Sequence, residues 1–176
     1  LALDEAWVYG LIRQESRFIT DAQSVAGASG LMQLMPETAR WAAKRIGLKN
    51  WRWSQVTEVG TNVGLGTYYL RHVLDALDGQ PVLASAAYNA GPNRARAWRP
   101  ETAMEGAVFA ETIPFTETRL YVKNVMANAT YYAHNFSQQL QSLKQRLGVV
   151  GPQPTFEDAP GADALELVMS DRLSGN

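Results

Sequence analysis

The carboxylate of Glu15 stands where the helical pattern of the sequence expects an apolar side chain. Within VYGLIRQESRF, Leu11 and Ile12 mark the inward face of a predicted helix, and Glu15 follows them by four and three residues on the same face. Partial burial disfavours the charged form of a carboxyl group and raises its pKa above the reference value of about 4.3. A proton donor at neutral pH needs such a group. The pattern also allows a structural interpretation, in which Glu15 lies at the surface or pairs with Arg17.

Two further segments carry side chains that can bind a ligand, which for the amide of Gln33 is a sugar or a peptide amide. In GASGLMQLMP, Gln33 offers an amide that donates and accepts hydrogen bonds, and Met32 offers pliable apolar surface. In ASAAYNAGP, small residues surround Tyr88 and Asn89, so neighbouring helices can approach and the phenol and the amide can project together into a cleft. Each segment also allows a structural interpretation, as a glycine-containing turn before a helix and as a buried tyrosine beside an asparagine helix cap.

Later positions add a second carboxylate and another phenol. Glu111 in FAETIPF lies at the edge of an apolar stretch, where it can line a site or face solvent. Tyr121 falls near the start of the last long predicted helix, and the pattern leaves its direction open. Arg119 and Lys123 stand four residues apart on that helix and are predicted to form a solvated face.

The composition excludes several other chemistries. The chain of 176 residues contains no cysteine, which excludes disulfides, thiolate metal sites and a cysteine nucleophile. His72 and His134 fall on different predicted helices, so we expect no histidine-based zinc site. Residues 1–147 hold 15 basic and 12 acidic residues, a net charge of +3. This excess is far below the basic stripe of a nucleic-acid-binding protein, and we expect no nucleic-acid partner.

Helices must position these candidates, because apolar residues recur at helical spacing through most of the chain. No segment alternates well enough to predict a sheet, so the predicted fold class is all-α. Proline at a first helical position and glycine after a last one mark several boundaries. The predicted helices cover residues 4–16, 36–46, 59–77 and 81–90, two short stretches around 94–98 and 104–111, and one long closing helix over 122–147.

The composition changes at Gly148, where GVVGPQPTFEDAPGAD is rich in proline and glycine. Residues 148–176 carry five acidic residues and one basic residue. We therefore predict a globular domain over residues 1–147 and a linker with an acidic tail over residues 148–176. The chain opens with LALDEAWV, without an initiator methionine or a signal peptide, so we expect it to be a piece of a longer protein.

Four of these segments, taken in this order, resemble the lytic transglycosylases. They are ES at 15–16, GASGLMQLMPETA at 27–39, AAYNAGP at 86–92 and ETIPFTETRLYV at 111–122. The resemblance is to the catalytic domain of the large soluble type and extends over about residues 5–136. It departs at two loop positions that the family often fills with Asn-Pro and Asp-Pro. Those positions hold Ile19 with Thr20, and Glu58 with Val59.

The resemblance implies an all-α, lysozyme-like domain with a substrate cleft. Such a domain cleaves the β-1,4 bond between N-acetylmuramic acid and N-acetylglucosamine in peptidoglycan, in the periplasm, and leaves a 1,6-anhydro end. Glu15 takes the position of the single catalytic residue, which acts as an acid and then as a base. The implied partners are glycan strands, without metal or cofactor, and members of this type usually carry a helical region ahead of the catalytic domain. Seven positions are implied in substrate binding: Ser16, Met32, Gln33, Tyr88, Asn89, Glu111 and Tyr121.

Two other functions stay open at this point. One is a hydrolytic lysozyme on the same fold, in which Glu111 or Asp21 acts as a base toward water. The other is a peptidoglycan-binding module without catalysis. An intact Glu15 within its motif argues against the binding module.

Overall fold

The structure, a computed structural model, describes residues 3–136 and 141–152. This part of the chain forms eight α-helices, one short 3-10 turn and two strands of two residues each. The predicted all-α class is confirmed. The helices are α1 (Glu5–Ser16), α2 (Pro36–Arg45), α3 (Val59–Asp75), α4 (Pro81–Ala90), α5 (Pro92–Ala97), α6 (Gly106–Thr112), α7 (Thr116–Asn135) and α8 (Leu143–Leu147), the turn is Trp53–Gln55, and the strands are β1 (Met104–Glu105) and β2 (Val149–Val150).

Local sequence signals set most helix boundaries. The side chain of Asp4 accepts a hydrogen bond from the backbone amide of Ala6 at 2.9 Å and caps the start of α1. Proline occupies the first positions of α2, α4 and α5, where a missing N–H group costs nothing. Gly91, with a φ of 95°, separates α4 from α5. None of the described helices combines the length and apolar character that crossing a lipid bilayer requires.

Helix α4 is the centre of the domain. Each of its residues from Val82 to Ala90 is buried, so the helix has no solvent face. It packs against α3, α5 and α7. Its alanines allow these helices to pack close to it. Because α4 is buried on all sides, it fixes their positions relative to one another.

Helices α1 and α7 form the most extensive helix pair in the described structure. They run antiparallel, with Tyr9 of α1 against Tyr132 near the end of α7 and Glu15 against Tyr121 near its start. A Cβ atom at Gly10 would lie 2.7 Å from the carbonyl oxygen of Val125 and 2.7 Å from the amide nitrogen of Ala129. The two main chains therefore approach each other at a point where only glycine fits.

The C-terminal region differs from the prediction in two ways. The predicted closing helix over residues 122–147 is wrong as a single element, because α7 ends at Asn135 and α8 is a separate helix. Although no sheet was expected, Val149–Val150 pairs with Met104–Glu105. The backbone amide of Gly106 donates to the carbonyl oxygen of Gly148 at 2.7 Å. Residues 148–150, which follow the predicted domain boundary, are therefore hydrogen-bonded to the domain. The acidic residues of the predicted tail lie outside the described residues.

Candidate active site

Glu15 and Tyr121 form the centre of the candidate site. Glu15 lies half-buried at the last turn of α1, as its position on the face of Leu11 and Ile12 predicted. The hydroxyl group of Tyr121 donates a hydrogen bond to Oε1 of Glu15 at 2.7 Å. Tyr121 is itself buried, so its direction, which the sequence left open, is inward toward the carboxylate. A half-buried carboxyl group aimed by a phenol is suited to proton transfer.

The chain turns sharply immediately after this carboxylate. Arg17 and Phe18 both have positive φ angles, of 54° and 64°, in the left-handed region that non-glycine residues rarely adopt. Ser16 is buried, and its hydroxyl group donates to the carbonyl oxygen of Ile12 at 3.3 Å within the same helix. The last turn of α1 is thus held in place directly beside Glu15.

The segment Ser29–Leu34 forms a tight loop, closed at its base by two backbone hydrogen bonds of 3.0 Å between its end residues. Gly30 and Gln33 take positive φ angles of 81° and 46°. The side-chain nitrogen Nε2 of Gln33 donates to the carbonyl oxygen of Ala22 at 3.0 Å and to that of Gly30 at 2.9 Å. The side chain of Met32 is fully buried. The two predicted sugar-binding residues are therefore built into the interior of this loop.

Tyr88 and Asn89, at the end of α4, make different contacts. The ring of Tyr88 is fully buried, and its hydroxyl group donates to the carbonyl oxygen of Met32 at 2.9 Å. Asn89 accepts a hydrogen bond of 2.6 Å from the hydroxyl group of Thr118 and donates one of 3.4 Å to Glu117. Thr118 precedes Tyr121 by three residues on α7, so one face of this helix contacts both Asn89 and Glu15.

Asn62, on α3, is a polar residue of the site that sequence reasoning missed. Its side chain is fully buried and contacts the loop Ser29–Leu34 through its amide. A signal was available in the sequence, because Asn62 precedes Gly66 by four residues and Leu70 by eight and so shares the inward face of α3. A polar side chain on such a face must find partners, as Glu15 does on α1.

Glu111 lies apart from these contacts, at the end of α6. Its side chain is 58% exposed and its Oε1 atom is 2.8 Å from Nζ of Lys123. The exposed side chain of Lys123 agrees with the solvated face predicted for α7. The prediction does not hold for Arg119, which is half-buried and donates to the carbonyl oxygen of Ile113 at 3.0 Å. The hydrogen bond from the Lys123 ammonium group and its charge lower the pKa of the Glu111 carboxyl group.

We expect Lys123→Met to raise the pKa of Glu111 toward its ordinary value. Because the folded-state pKa is lowered, the stabilisation from the pair is present above the ordinary pKa and is lost as the pH falls through the lowered one. The effect on stability is small, since both groups are exposed. An NMR titration of the Glu111 carboxyl carbon measures the shift. The matched control is Lys144→Met, which removes an exposed pair with Glu105 and should leave the Glu111 titration unchanged.

Comparison with known families identifies the domain. Residues 1–107, more than half of the chain, match the family of the transglycosylase SLT domain. The chain belongs to this family. Residues 112–140 of the SLT chain also match the soluble lytic transglycosylase helical domain.

The relatives of this SLT domain are soluble lytic transglycosylases. The soluble lytic murein transglycosylase of Salmonella typhimurium is 41% identical over 140 residues, which are 78% of this chain and 22% of that protein. The structure of an inactive glutamate-to-glutamine mutant of the lytic transglycosylase Slt from Pseudomonas aeruginosa is 43% identical, with a TM-score of 0.73, over 77% of this chain and 22% of that one. The 70 kDa soluble lytic transglycosylase of Escherichia coli is 35% identical, with the same TM-score of 0.73, over 83% of this chain and 23% of that one.

These matches confirm the predicted family and the predicted fold class. The SLT chain spans about a fifth of the length of its relatives, as the shares of 22% and 23% show. Of the predicted site residues, the structure joins Glu15 to Tyr121 and Met32 to Tyr88. The assignment of roles to all eight predicted residues stays a prediction.

We expect Tyr121→Phe to lower the turnover of the SLT domain on glycan about tenfold or more. The substitution removes one hydrogen bond to a carboxylate and leaves the ring in place, and such a bond contributes about 1.5–3 kcal/mol. Initial rates of glycan release from cell walls measure the effect. The control is Tyr131→Phe on the same helix. Tyr131 is 63% exposed, so this variant should retain the wild-type rate. Equal rates for both variants would show that the phenol does not assist Glu15.

Proposed function

We propose that this SLT domain is a lytic transglycosylase that cleaves the β-1,4 bond between N-acetylmuramic acid and N-acetylglucosamine in peptidoglycan. The observation that supports the proposal most directly is the half-buried Glu15 with its bond of 2.7 Å from Tyr121, placed within the ES motif. The relatives named murein transglycosylases supply the substrate class. Because peptidoglycan lies in the cell envelope, we place the reaction in the periplasm.

In the first step, protonated Glu15 donates its proton to the glycosidic oxygen. The bond between that oxygen and C1 of N-acetylmuramic acid breaks, and the leaving sugar departs with a free 4-hydroxyl group. The carbonyl oxygen of the 2-acetamido group stabilises the positive charge that develops at C1, a substrate-assisted route that replaces the second carboxylate of most glycosidases.

In the second step, the ionised Glu15 takes the proton of the C6 hydroxyl group of the same N-acetylmuramic acid. The C6 oxygen attacks C1 and closes a 1,6-anhydro ring, so no water is consumed and Glu15 is protonated again. The C6 hydroxyl group competes well with water because it is tethered beside the reacting carbon. Glu111, exposed and paired with Lys123, is not needed as a second carboxylate in this sequence.

The other predicted residues build the proposed substrate site, in which the fully buried Met32 and Tyr88 act by holding the loop in place. Ser16 follows Glu15 in α1, and Asn89 follows Tyr88 in α4. Glu111 is exposed at the end of α6. Gln33 and Tyr88 hold the loop of Met32 through the hydrogen bonds described above. We assign the loop and the end of α4 to the binding of the acetamido group and the sugar ring.

Mass spectrometry of products from purified cell walls tests the proposal. A transglycosylase releases fragments that end in 1,6-anhydro-N-acetylmuramic acid, lighter by one water than the corresponding hydrolysed fragments. Fragments with a reducing end instead would show a hydrolytic lysozyme. Binding to the walls without any release would show a non-catalytic module.

A further inference from the structure

We infer that Asn62 is a positioning residue for the proposed transglycosylase reaction, because it fixes the main chain of the loop Ser29–Leu34. The inference rests on the proposed function for its effect on catalysis. The residue is on α3, away from Glu15 along the chain, and its side chain both hydrogen-bonds to the loop and packs against Gly30. Its role is to hold this loop, which we assign to substrate binding, in one position beside the end of α4.

The amide of Asn62 bridges two separate segments of chain. Its oxygen accepts a hydrogen bond of 2.8 Å from the backbone amide of Met32. Its nitrogen donates to the carbonyl oxygen of Ser29 at 3.0 Å and to that of Val56 at 2.7 Å. These three buried bonds need a side chain with one acceptor atom and two donor hydrogens. Asparagine supplies both, whereas aspartate and leucine, which are of similar size, do not.

Met32 is held from both sides by two different helices. Its amide nitrogen is bound by Asn62 of α3, and its carbonyl oxygen is bound by the hydroxyl group of Tyr88 of α4. The loop needs such restraint, because the positive φ of 46° at Gln33 is unfavourable for a residue with a side chain. The contacts from α3 and α4 therefore determine where the loop lies.

The loop packs closely against α3 at two glycines. A Cβ atom at Gly30 would lie 2.1 Å from Nδ2 of Asn62, and a Cβ atom at Gly66 would lie 2.4 Å from the sulfur of Met32. Asn62 and Gly66, four residues apart on one face of α3, thus form the surface on which the loop is seated. Hydrogen bonding by Asn62 and close packing at Gly66 both act on Met32.

The test compares Asn62→Asp with Val73→Ala in the complete 176-residue chain. Aspartate keeps the shape and one acceptor but places a second oxygen against the carbonyl oxygens of Ser29 and Val56. Val73 is equally buried on α3 and serves as the control for a general loss of stability. All rates are measured on soluble, uncrosslinked glycan chains at a temperature at which circular dichroism shows each variant to be folded.

We expect Asn62→Asp to raise KM about tenfold, which corresponds to the loss of about 1.4 kcal/mol of binding. Val73→Ala should keep the wild-type KM, because a loss of stability alone lowers only the folded fraction and so the apparent kcat. An unchanged KM in Asn62→Asp, or an equal rise in both variants, would overturn the inference. If Asn62→Asp does not fold, Asn62→Ser takes its place, with the same expectations.

Hydrogen exchange of the Met32 amide separates this inference from the proposed function. We expect that amide to be protected in the wild-type chain and in Val73→Ala, and to exchange about tenfold faster or more in the Asn62 variants. If the wild type releases no anhydro fragments but this pattern holds, the proposed function fails and the positioning of the loop stands. If the amide exchanges equally in all variants, the positioning fails, whatever products are formed.

Discussion

Replacement of Glu15 by glutamine is expected to abolish glycan cleavage by this SLT domain while its fold and its binding to glycan persist. Glutamine matches the size of glutamate, and its side-chain oxygen can still accept the hydrogen bond of Tyr121. It cannot deliver a proton to the glycosidic oxygen or remove one from the C6 hydroxyl group. Since both proton transfers depend on one group, we expect turnover to fall by about 10³-fold or more. Mass spectrometry of cell-wall digests measures the products, and sedimentation with the walls measures binding.

The matched control is Glu5→Gln, which makes the same change in the first turn of the same helix. Glu5 is exposed, and its variant should digest cell walls at the wild-type rate. Near-normal activity of Glu15→Gln would show that another group is the acid.

Gly10→Ala is expected to destabilise the domain and to reduce activity together. The added Cβ atom would lie 2.7 Å from two backbone atoms of α7, which no side-chain rotation can relieve, so α1 and α7 must separate. Overpacking of this kind costs about 1–3 kcal/mol, and part of it is offset by the better helix propensity of alanine. We expect a net loss of about 2 kcal/mol, with a fall in Tm of about 4–8 °C. Glu15 and Tyr121 lie across the same helix pair, so their hydrogen bond should lengthen.

Gly64→Ala provides the control for helix propensity alone. Gly64 lies inside α3, and a Cβ atom there would meet no other atom within 4 Å. That variant should gain about 0.5–1 kcal/mol in the free energy of unfolding. Thermal and urea unfolding of both variants test the pair. A stabilised Gly10→Ala would contradict the close approach of α1 and α7.

The sequence predicted the features that depend on neighbouring residues. The prolines at positions 36 and 81 and Gly91 act on local backbone geometry. Helix α4 has the predicted extent, and α2 ends one residue before its predicted end. The half-burial of Glu15 was likewise predictable, because a helix face is defined by residues three and four apart. The break between α7 and α8 was missed because apolar residues continue at helical spacing on both sides of it.

The features that depend on contacts between distant segments were not predictable from periodicity. Tyr121 is a partner of Glu15 only because α1 and α7 pack antiparallel, and Asn62 is satisfied only because the loop of Met32 is seated on α3. The strands β1 and β2 contain two residues each, too few for any alternating pattern. Glu111 was ambiguous in the sequence, and its pairing with Lys123 follows from how α6 meets α7.

The two members of the Glu15–Tyr121 pair are 106 residues apart in the chain. Loop closure over such a separation is entropically costly and is offset only when many other contacts form with it. We therefore expect Tyr121 to reach Glu15 late in folding, when α7 docks on α1. A partly synthesised chain that ends before α7 lacks Tyr121, and we expect it to be inactive in the proposed reaction until that helix has been made.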